Sequence, residues 1–366
     1  MEQATSIPVE ILTQFAIDGS LISIEELKRG HINRTYVGTW GHGKHRRRYV
    51  HQVVNHRIFQ DIPGLMRNLD VVTTTLREKR DAGELREDEQ TLTLIKARSG
   101  ETFLQDENGE YWRTFEYIEN TVTYDVCPSP AVAHESAAIL GRFQRSLLDL
   151  DPKHFAETIP YFVDGGRRYS VFEDVISKDP AKRSSNCTQE IEFAMERAAF
   201  GGSLIAAVKE GIVPARVSHN DMKLNNVLFG PDGQRAVCLL DLDTCMSGTV
   251  LYDFGDLVRN TAVPCAEDEQ DFTKVVFDME LYRAICAGYL GEMEACITSA
   301  ERQRLAAAPR NLALILGVRF LTDYLSGDTY FRIHRKNQNL ERARTQFQIV
   351  RMMEQLEDEM QRVVLS

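Results

Sequence analysis

Short alternating runs mark the first third of the chain, and long runs with a helical period mark the rest. Leu21 to Leu27, Thr35 to Thr39 and Tyr49 to Val54 are β-branched or aromatic segments punctuated by glycine, the pattern of a small antiparallel sheet. Pro63 opens a stretch from Leu65 to Lys79 in which Leu65, Met66, Leu69, Val72 and Leu76 fall on one helical face. Two further strands are expected at Leu92 to Ala97 and Thr102 to Gln105, and Asn108-Gly109 marks a tight turn into Tyr111 to Ile118. The first third therefore predicts a sheet with one inserted helix.

After Glu119-Asn120 the helical period takes over, at Ala131 to Leu148, Glu190 to Lys209, Val275 to Leu290 and Ala306 to Leu325. A last stretch, Asn339 to Val364, sets Leu340, Phe347, Val350, Met353 and Leu356 at helical spacing, as in an amphipathic helix packed on its own domain. The change of texture predicts an α+β protein of two lobes: a β-rich N-lobe over residues 1–118 and a larger, mainly helical C-lobe over 119–366. The length of 366 residues agrees, since a domain usually holds ~100 to 200.

Charge narrows the partners. A formal net charge of −11, from 43 basic and 54 acidic side chains, argues against a nucleic-acid surface but leaves room for a free nucleotide. The one dense basic run, Lys44-His45-Arg46-Arg47-Arg48, reads as the solvated shoulder of a hairpin. Seven scattered cysteines with no C-x-x-C pair favour reduced thiols over disulfides or a zinc site. The N-terminus has no signal-peptide layout, and no window approaches 18 consecutive apolar residues. The expectation is a cytoplasmic protein, a monomer or weak homodimer, without membrane or nucleic-acid partners.

The candidate chemistry lies in Ser218-His219-Asn220-Asp221-Met222-Lys223-Leu224-Asn225-Asn226 and Leu239-Leu240-Asp241-Leu242-Asp243. Val213 to Val217, Val227 to Phe229 and Ala236 to Leu240 are short apolar segments, so the polar residues sit on a loop held between strands. Phosphoryl transfer needs a carboxylate to take the hydroxyl proton, an amide and a second carboxylate on magnesium, and a cation near the transferred group. Asp221, Asn226, Asp241 and Lys223 supply that set. Asp and Asn also favour turns and caps, yet the later Tyr252-Asp253-Phe254-Gly255-Asp256 strengthens the chemical reading. His219 is expected to brace the loop rather than act as base. Asp243 is open between a metal contact, a substrate contact and a turn residue. Asp253 and Asp256 are expected to organise the loop and the following helix N-terminus.

These motifs resemble the aminoglycoside phosphotransferase and choline kinase superfamily, whose members share the two-lobed protein-kinase-like fold. Further blocks are similar to the N-acetylhexosamine 1-kinases within it: Gly30-His31-Ile32-Asn33-Arg34-Thr35-Tyr36, Leu65-Met66-Arg67-Asn68, Trp112 to Thr121, His219 to Asn226 and Arg319 to Phe331. The resemblance implies ATP-dependent phosphorylation of the anomeric hydroxyl of N-acetylglucosamine or N-acetylgalactosamine. It implies Asp221 as base, Lys223 facing the phosphate or sugar, Asn226 and Asp241 on Mg2+, and Arg319 and Tyr330 lining the sugar pocket. Without it, Arg319 reads as an ion pair with Asp323 one helical turn on, and Tyr330 as a packed aromatic.

Two features depart from the usual kinase pattern. Where many kinases of this fold place a strand lysine, Tyr49-Val50-His51-Gln52-Val53-Val54-Asn55 offers Gln52, whose amide donates hydrogen bonds but carries no charge. The loop expected over the phosphates holds only Gly30; Gly30, His31 and Asn33 read as nucleotide or sugar contacts, with a plain turn as the alternative. ATP is expected between the lobes, its adenine at backbone groups of Glu116, Tyr117 and Ile118. The rival readings are a kinase of another hydroxylated metabolite (an aminoglycoside, choline, homoserine or another hexose) and a nucleotide-binding pseudokinase.

Overall fold

The computed structural model describes residues 8–27 and 32–366. The chain divides into two units, residues 1–120 with 156–159, and residues 121–155 with 160–366. In the first, a short α1 (Val9–Leu12) precedes β1 (Ser20–Leu27), β2 (Arg34–His42), β3 (His45–Val54), α2 (Ile62–Asp81), β4 (Leu94–Ile95), β5 (Leu104–Gln105) and β6 (Tyr111–Glu116). The strands form one antiparallel sheet in the order β1-β2-β3-β6-β4, with β5 also on β6.

Alternation assigns each strand two faces. One face buries Tyr36, Trp40, Tyr49, Val53 and Trp112 against Ile11, Leu12, Phe15 and Ile17 of the N-terminal segment. The other carries two rungs set by register: Val37, Val50 and Phe115, then Thr35, Gln52 and Arg113. Helix α2 starts where Asp61 accepts from the Gly64 amide, 2.9 Å away, with Pro63 in the first turn. Its buried side chains include all five expected apolar residues.

The strands expected at 92–97 and 102–105 shrink to two residues each. Beyond Ile95 the chain turns to a different partner: Lys96 accepts from the Ala16 amide and Ala97 bridges to Phe15.

The second unit contains α3 (Pro130–Ser146), α4 (Gly165–Lys178), α5 (Thr188–Glu196), α6 (Ala198–Gly201), α7 (Ser203–Lys209), β7 (Arg216–Ser218), β8 (Val227–Phe229), β9 (Ala236–Leu239), β10 (Met246–Gly248) and α8 (Val250–Thr261). After these come α9 (Met279–Met293), α10 (Ser299–Arg302), α11 (Ala308–Ser326), α12 (Gln338–Gln355) and α13 (Glu357–Leu365). Two small ladders, β7 with β10 and β8 with β9, carry the loops between them. Helix α3 packs on α9, and α11 packs on α12, α8 and α4.

The helix expected at 190–209 is broken into three, because Arg197 leaves helical geometry and Gly201-Gly202 interrupts the rest. The one expected at 339–364 breaks at Leu356, φ −101° and ψ 4°, so that α13 can bury Met360 and Val364 and set Met360 against the Tyr282 hydroxyl of α9. The expected start at Val275 moves to Met279, where Asp278 caps the Glu280 and Leu281 amides. Helix α4, which opens on Gly165-Gly166 with a charged first turn, is not among the expected helices. All seven cysteines are free thiols, and no helix of the described residues is long and apolar enough to cross a membrane.

The α3–α9 contact depends on glycine: a Cβ on Gly288 would lie 2.2 Å from the His134 carbonyl, while one on Gly291 would meet nothing. Gly288→Ala is expected to destabilise the protein by about 1–3 kcal/mol in denaturant unfolding. Gly291→Ala, on the same helix, should instead be neutral or stabilising by up to ~1 kcal/mol.

Candidate active site

Residues 219–226 leave β7 and enter β8, and one buried carboxylate holds the start of that loop. Asp253, in the first turn of α8, accepts from the backbone amides of His219, 2.9 Å, and Asn220, 2.7 Å. Its third donor is Gln144 Nε2 of α3 at 2.9 Å, and Gln144 Oε1 in turn accepts from the Tyr289 hydroxyl of α9 at 2.6 Å. Burial pushes the Asp253 carboxyl above its ordinary range; His219, Gln144 and the two loop amides work the other way.

Asn220 sits in the left-handed region, φ 63°, which Asn tolerates better than most residues. Its side-chain nitrogen donates to the carbonyls of Ser218, 3.1 Å, and Thr244, 3.0 Å. Gly248 makes the room, since a Cβ there would approach Asn220 Oδ1 to 2.4 Å. His219 braces the loop: Nε2 lies 2.8 Å from the Leu240 carbonyl, so it carries the proton, and Nδ1 accepts from the Asp221 amide at 3.3 Å.

The loop gathers the expected charged groups. Lys223 Nζ reaches both Asp221 carboxylate oxygens, at 2.8 and 3.1 Å. Burial raises the Asp221 carboxyl, but the Lys223 ammonium, helped by His219 and Arg259, outweighs it and the net shift is downward, keeping the acid ionised. Burial opposes the Lys223 charge, and the carboxylates of Asp221 and Asp256 overcome it, so its ammonium is held above the ordinary value. Asn226 Nδ2 donates to the Asp221 carbonyl at 2.9 Å, so of its amide atoms Oδ1 is the one that could ligate a cation. Asp241, φ 57°, precedes a short turn, 242–244, in which Asp243 is buried. Asp241 as a residue meets solvent, yet its carboxyl is desolvated by the surrounding protein atoms, and that desolvation, then the Asp243 and Asp221 carboxylates, push it up to about 6.

A divalent cation fits this donor set. Mutually repelling carboxylates beside a free amide oxygen are relieved by one. No three His, Cys, Asp or Glu side chains among the described residues converge to hold a metal alone, and magnesium needs only one or two carboxylates when substrate phosphates complete its shell.

Arg319 and Tyr330 come together elsewhere in the same unit. They share a recess of about 190 Å³ with Arg168, Val171, Thr322, Asp323, Ser326, Thr329 and Phe331. The Arg319 guanidinium lies 5.1 Å from the Phe162 ring, 5.5 Å from Phe331 and 5.9 Å from Tyr330. The ion pair with Asp323 does not form. Asp323 instead accepts from the amides of Thr329, Tyr330 and Phe331 and from Asn339 Nδ2, all at 2.8–2.9 Å. Tyr330 is 54% exposed and so is not a packed aromatic.

The remaining candidates belong to the first unit. Gly30 and His31 lie outside the described residues. Asn33 Oδ1 accepts from the Asn55 amide at 3.0 Å. The Glu116 amide is already donated to Thr93 and that of Tyr117 to Arg48, whose guanidinium also covers the Tyr117 ring at 3.9 Å. An incoming base thus finds both amides engaged, while Ile118 follows the end of β6. Gln52 bonds Thr35 and Arg113. The sequence reading missed Gln144, Asn220 and Arg168. The first lies within an ordinary helical pattern, Asn220 also bonds Thr244, 24 residues on, and Arg168 shares its recess with Arg319 and Tyr330 only through the fold.

A sheet unit followed by a helical unit that pins an acid–lysine pair beside an amide and further acids defines the protein-kinase-like class. Residues 23–296 match the phosphotransferase enzyme family, and the chain belongs to it. Among solved structures it is similar to an aminoglycoside phosphotransferase from Alicyclobacillus acidocaldarius, at 13% identity and TM-score 0.65, over 99% of this chain and 98% of that one. It is also similar to a spectinomycin phosphotransferase solved with ADP and spectinomycin, at 13% and 0.56, over 95% and 98%. A choline kinase from Cryptosporidium parvum matches at 15% and 0.53, over 94% and 92%. At such identities the likeness is one of fold: a small antiparallel-sheet lobe and a larger helical lobe, as the sequence predicts.

The raised Asp241 carboxyl has a testable sign. In the folded chain it holds its proton to higher pH than in the unfolded chain, so its ionisation destabilises the fold as pH rises from about 4 to about 6. In metal-free buffer, Asp241→Asn should melt above wild type at pH 7.5, and the gain should vanish at pH 4. An equal gain at both pH values would rule out the crowded carboxylate.

Proposed function

We propose that this phosphotransferase is an ATP-dependent sugar kinase that converts N-acetylglucosamine or N-acetylgalactosamine to the 1-phosphate. The carrying observation is the recess around Arg319. Two guanidiniums, Arg168 and Arg319, line it, and Asp323, the one acid among its described lining residues, already accepts backbone amides. Such a pocket repels an amine cation and suits hydroxyl and carbonyl oxygens. Exposed Tyr330 offers a ring and a hydroxyl to a sugar. This weighs against choline or an aminoglycoside as acceptor. The relative solved with ADP supports an adenine nucleotide as donor.

In the proposed reaction Asp221 accepts the anomeric proton as the hydroxyl oxygen bonds to the γ-phosphorus and the bond to the bridging oxygen of ADP breaks. An anomeric hydroxyl is more acidic than an ordinary alcohol, so an acid kept ionised by Lys223 serves as base without a raised pKa. Lys223 also stands ready to offset charge on the transferred group. Asp243 is buried, and its charge adds to that of Asp241, a repulsion that a cation bound there would offset. Magnesium held by Asn226 and Asp241 would neutralise phosphate charge. The retention of all these groups disfavours a pseudokinase.

An ADP-release assay with a panel of acceptors tests the reading: N-acetylhexosamines turn over and choline and kanamycin do not. Turnover of choline at a comparable kcat/KM would overturn it. Asp221→Asn is expected to lower kcat about 100-fold or more while ATP affinity is nearly intact; unchanged turnover would remove Asp221 as the base. Arg319→Leu should raise the acceptor KM about tenfold or more and leave the KM for ATP alone.

A further inference from the structure

Gln52 lies on β3, the strand from which protein kinases extend the lysine that meets the nucleotide phosphates, and both ends of its amide are engaged. Nε2 donates to Thr35 Oγ1 at 3.1 Å, and Oε1 accepts from Arg113 Nε at 3.0 Å and Arg113 Nη2 at 2.8 Å. These three residues are register partners across β2, β3 and β6. They make a straight polar rung on one face of the sheet.

The neighbouring rung on that face, toward Glu116 and Tyr117, is Val37, Val50 and Phe115. Successive rungs of one face stand roughly 7 Å apart along the strands. An apolar rung suited to a flat base thus adjoins a rung that holds a cation. A guanidinium stays charged in proteins, and Arg113 is only 2% exposed. Its two-toothed bond to Gln52 fixes it in the sheet, where low dielectric extends its reach. A lysine at position 52 would set an ammonium against this guanidinium, so the two arrangements exclude one another.

We propose that the Gln52–Arg113 pair replaces the strand lysine: Arg113 supplies the fixed positive charge for the nucleotide's phosphates, and Gln52 is its positioning residue. The inference rests on the phosphotransferase reading and adds the source of the charge that Gln52 lacks.

Calorimetric titration with ADP and with adenosine, which lacks phosphates, separates charge from packing. Arg113→Gln is expected to weaken ADP binding about tenfold or more and leave adenosine affinity unchanged. The double variant Gln52→Lys, Arg113→Gln moves one cation back to β3 and should restore ADP affinity to within about threefold of wild type. If Arg113→Gln does not fold, the double variant carries the test alone, because it keeps a cation in the rung. Equal loss of ADP and adenosine, unchanged ADP affinity in Arg113→Gln, or a folded double variant that binds adenosine but not ADP would each overturn the proposal. A wild-type protein that binds neither ligand would instead bring down the nucleotide reading, and this inference with it.

Discussion

The site depends on one buried carboxylate. Asp253 gathers two consecutive loop amides and the Gln144 amide, and Gln144 is fixed by the Tyr289 hydroxyl. Three helices and the loop thereby share a single polar network. An unsatisfied buried amide costs about 1–3 kcal/mol, so the network is stable only when every member is in place. Burial alone would drive a proton onto Asp253; the donors around it offset that tendency. The loop is therefore shaped before any ligand arrives, which is what positioning catalysis requires.

The same device recurs elsewhere in the helical unit. Asp323 on α11 gathers the amides of residues 329–331 and so turns Tyr330 outward beside Arg319. Helix α11 packs on α8, which carries Asp253, and on α4, which carries Arg168. Two aspartates whose side chains serve the backbone thus set two groups whose side chains face outward. The acid–lysine loop and the Arg319–Tyr330 recess rest on separate segments over a common helical core.

Much of this was legible in the sequence, for reasons that can be named. Alternation located β1 to β3 and β6, and the apolar face of α2 was read residue by residue, because local periodicity and burial agree there. The breaks at Gly201-Gly202 and Leu356 were not read, since an amphipathic period continues across a change of helix direction. The charged set Asp221, Lys223, Asn226 and Asp241 was legible because two short motifs carry it. The roles of Gln144, Asn220 and Asp323 were not, because only the fold brings their partners to them: the Asp253 carboxylate and the Tyr289 hydroxyl, 109 and 145 residues on, to Gln144, the Thr244 carbonyl to Asn220, and the amides of residues 329–331 to Asp323. Gln52 read as a missing charge, and only strand register reveals Arg113 beside it.

Amide hydrogen exchange in the ligand-free protein tests the central claim, that Asp253 fixes the loop in advance. The His219 and Asn220 amides are expected to be protected like those in the buried body of α8, far beyond those of the Gly230–Gly233 turn, and Asp253→Ala should abolish that protection. Exchange of His219 and Asn220 as fast as the turn in the wild-type protein would contradict it.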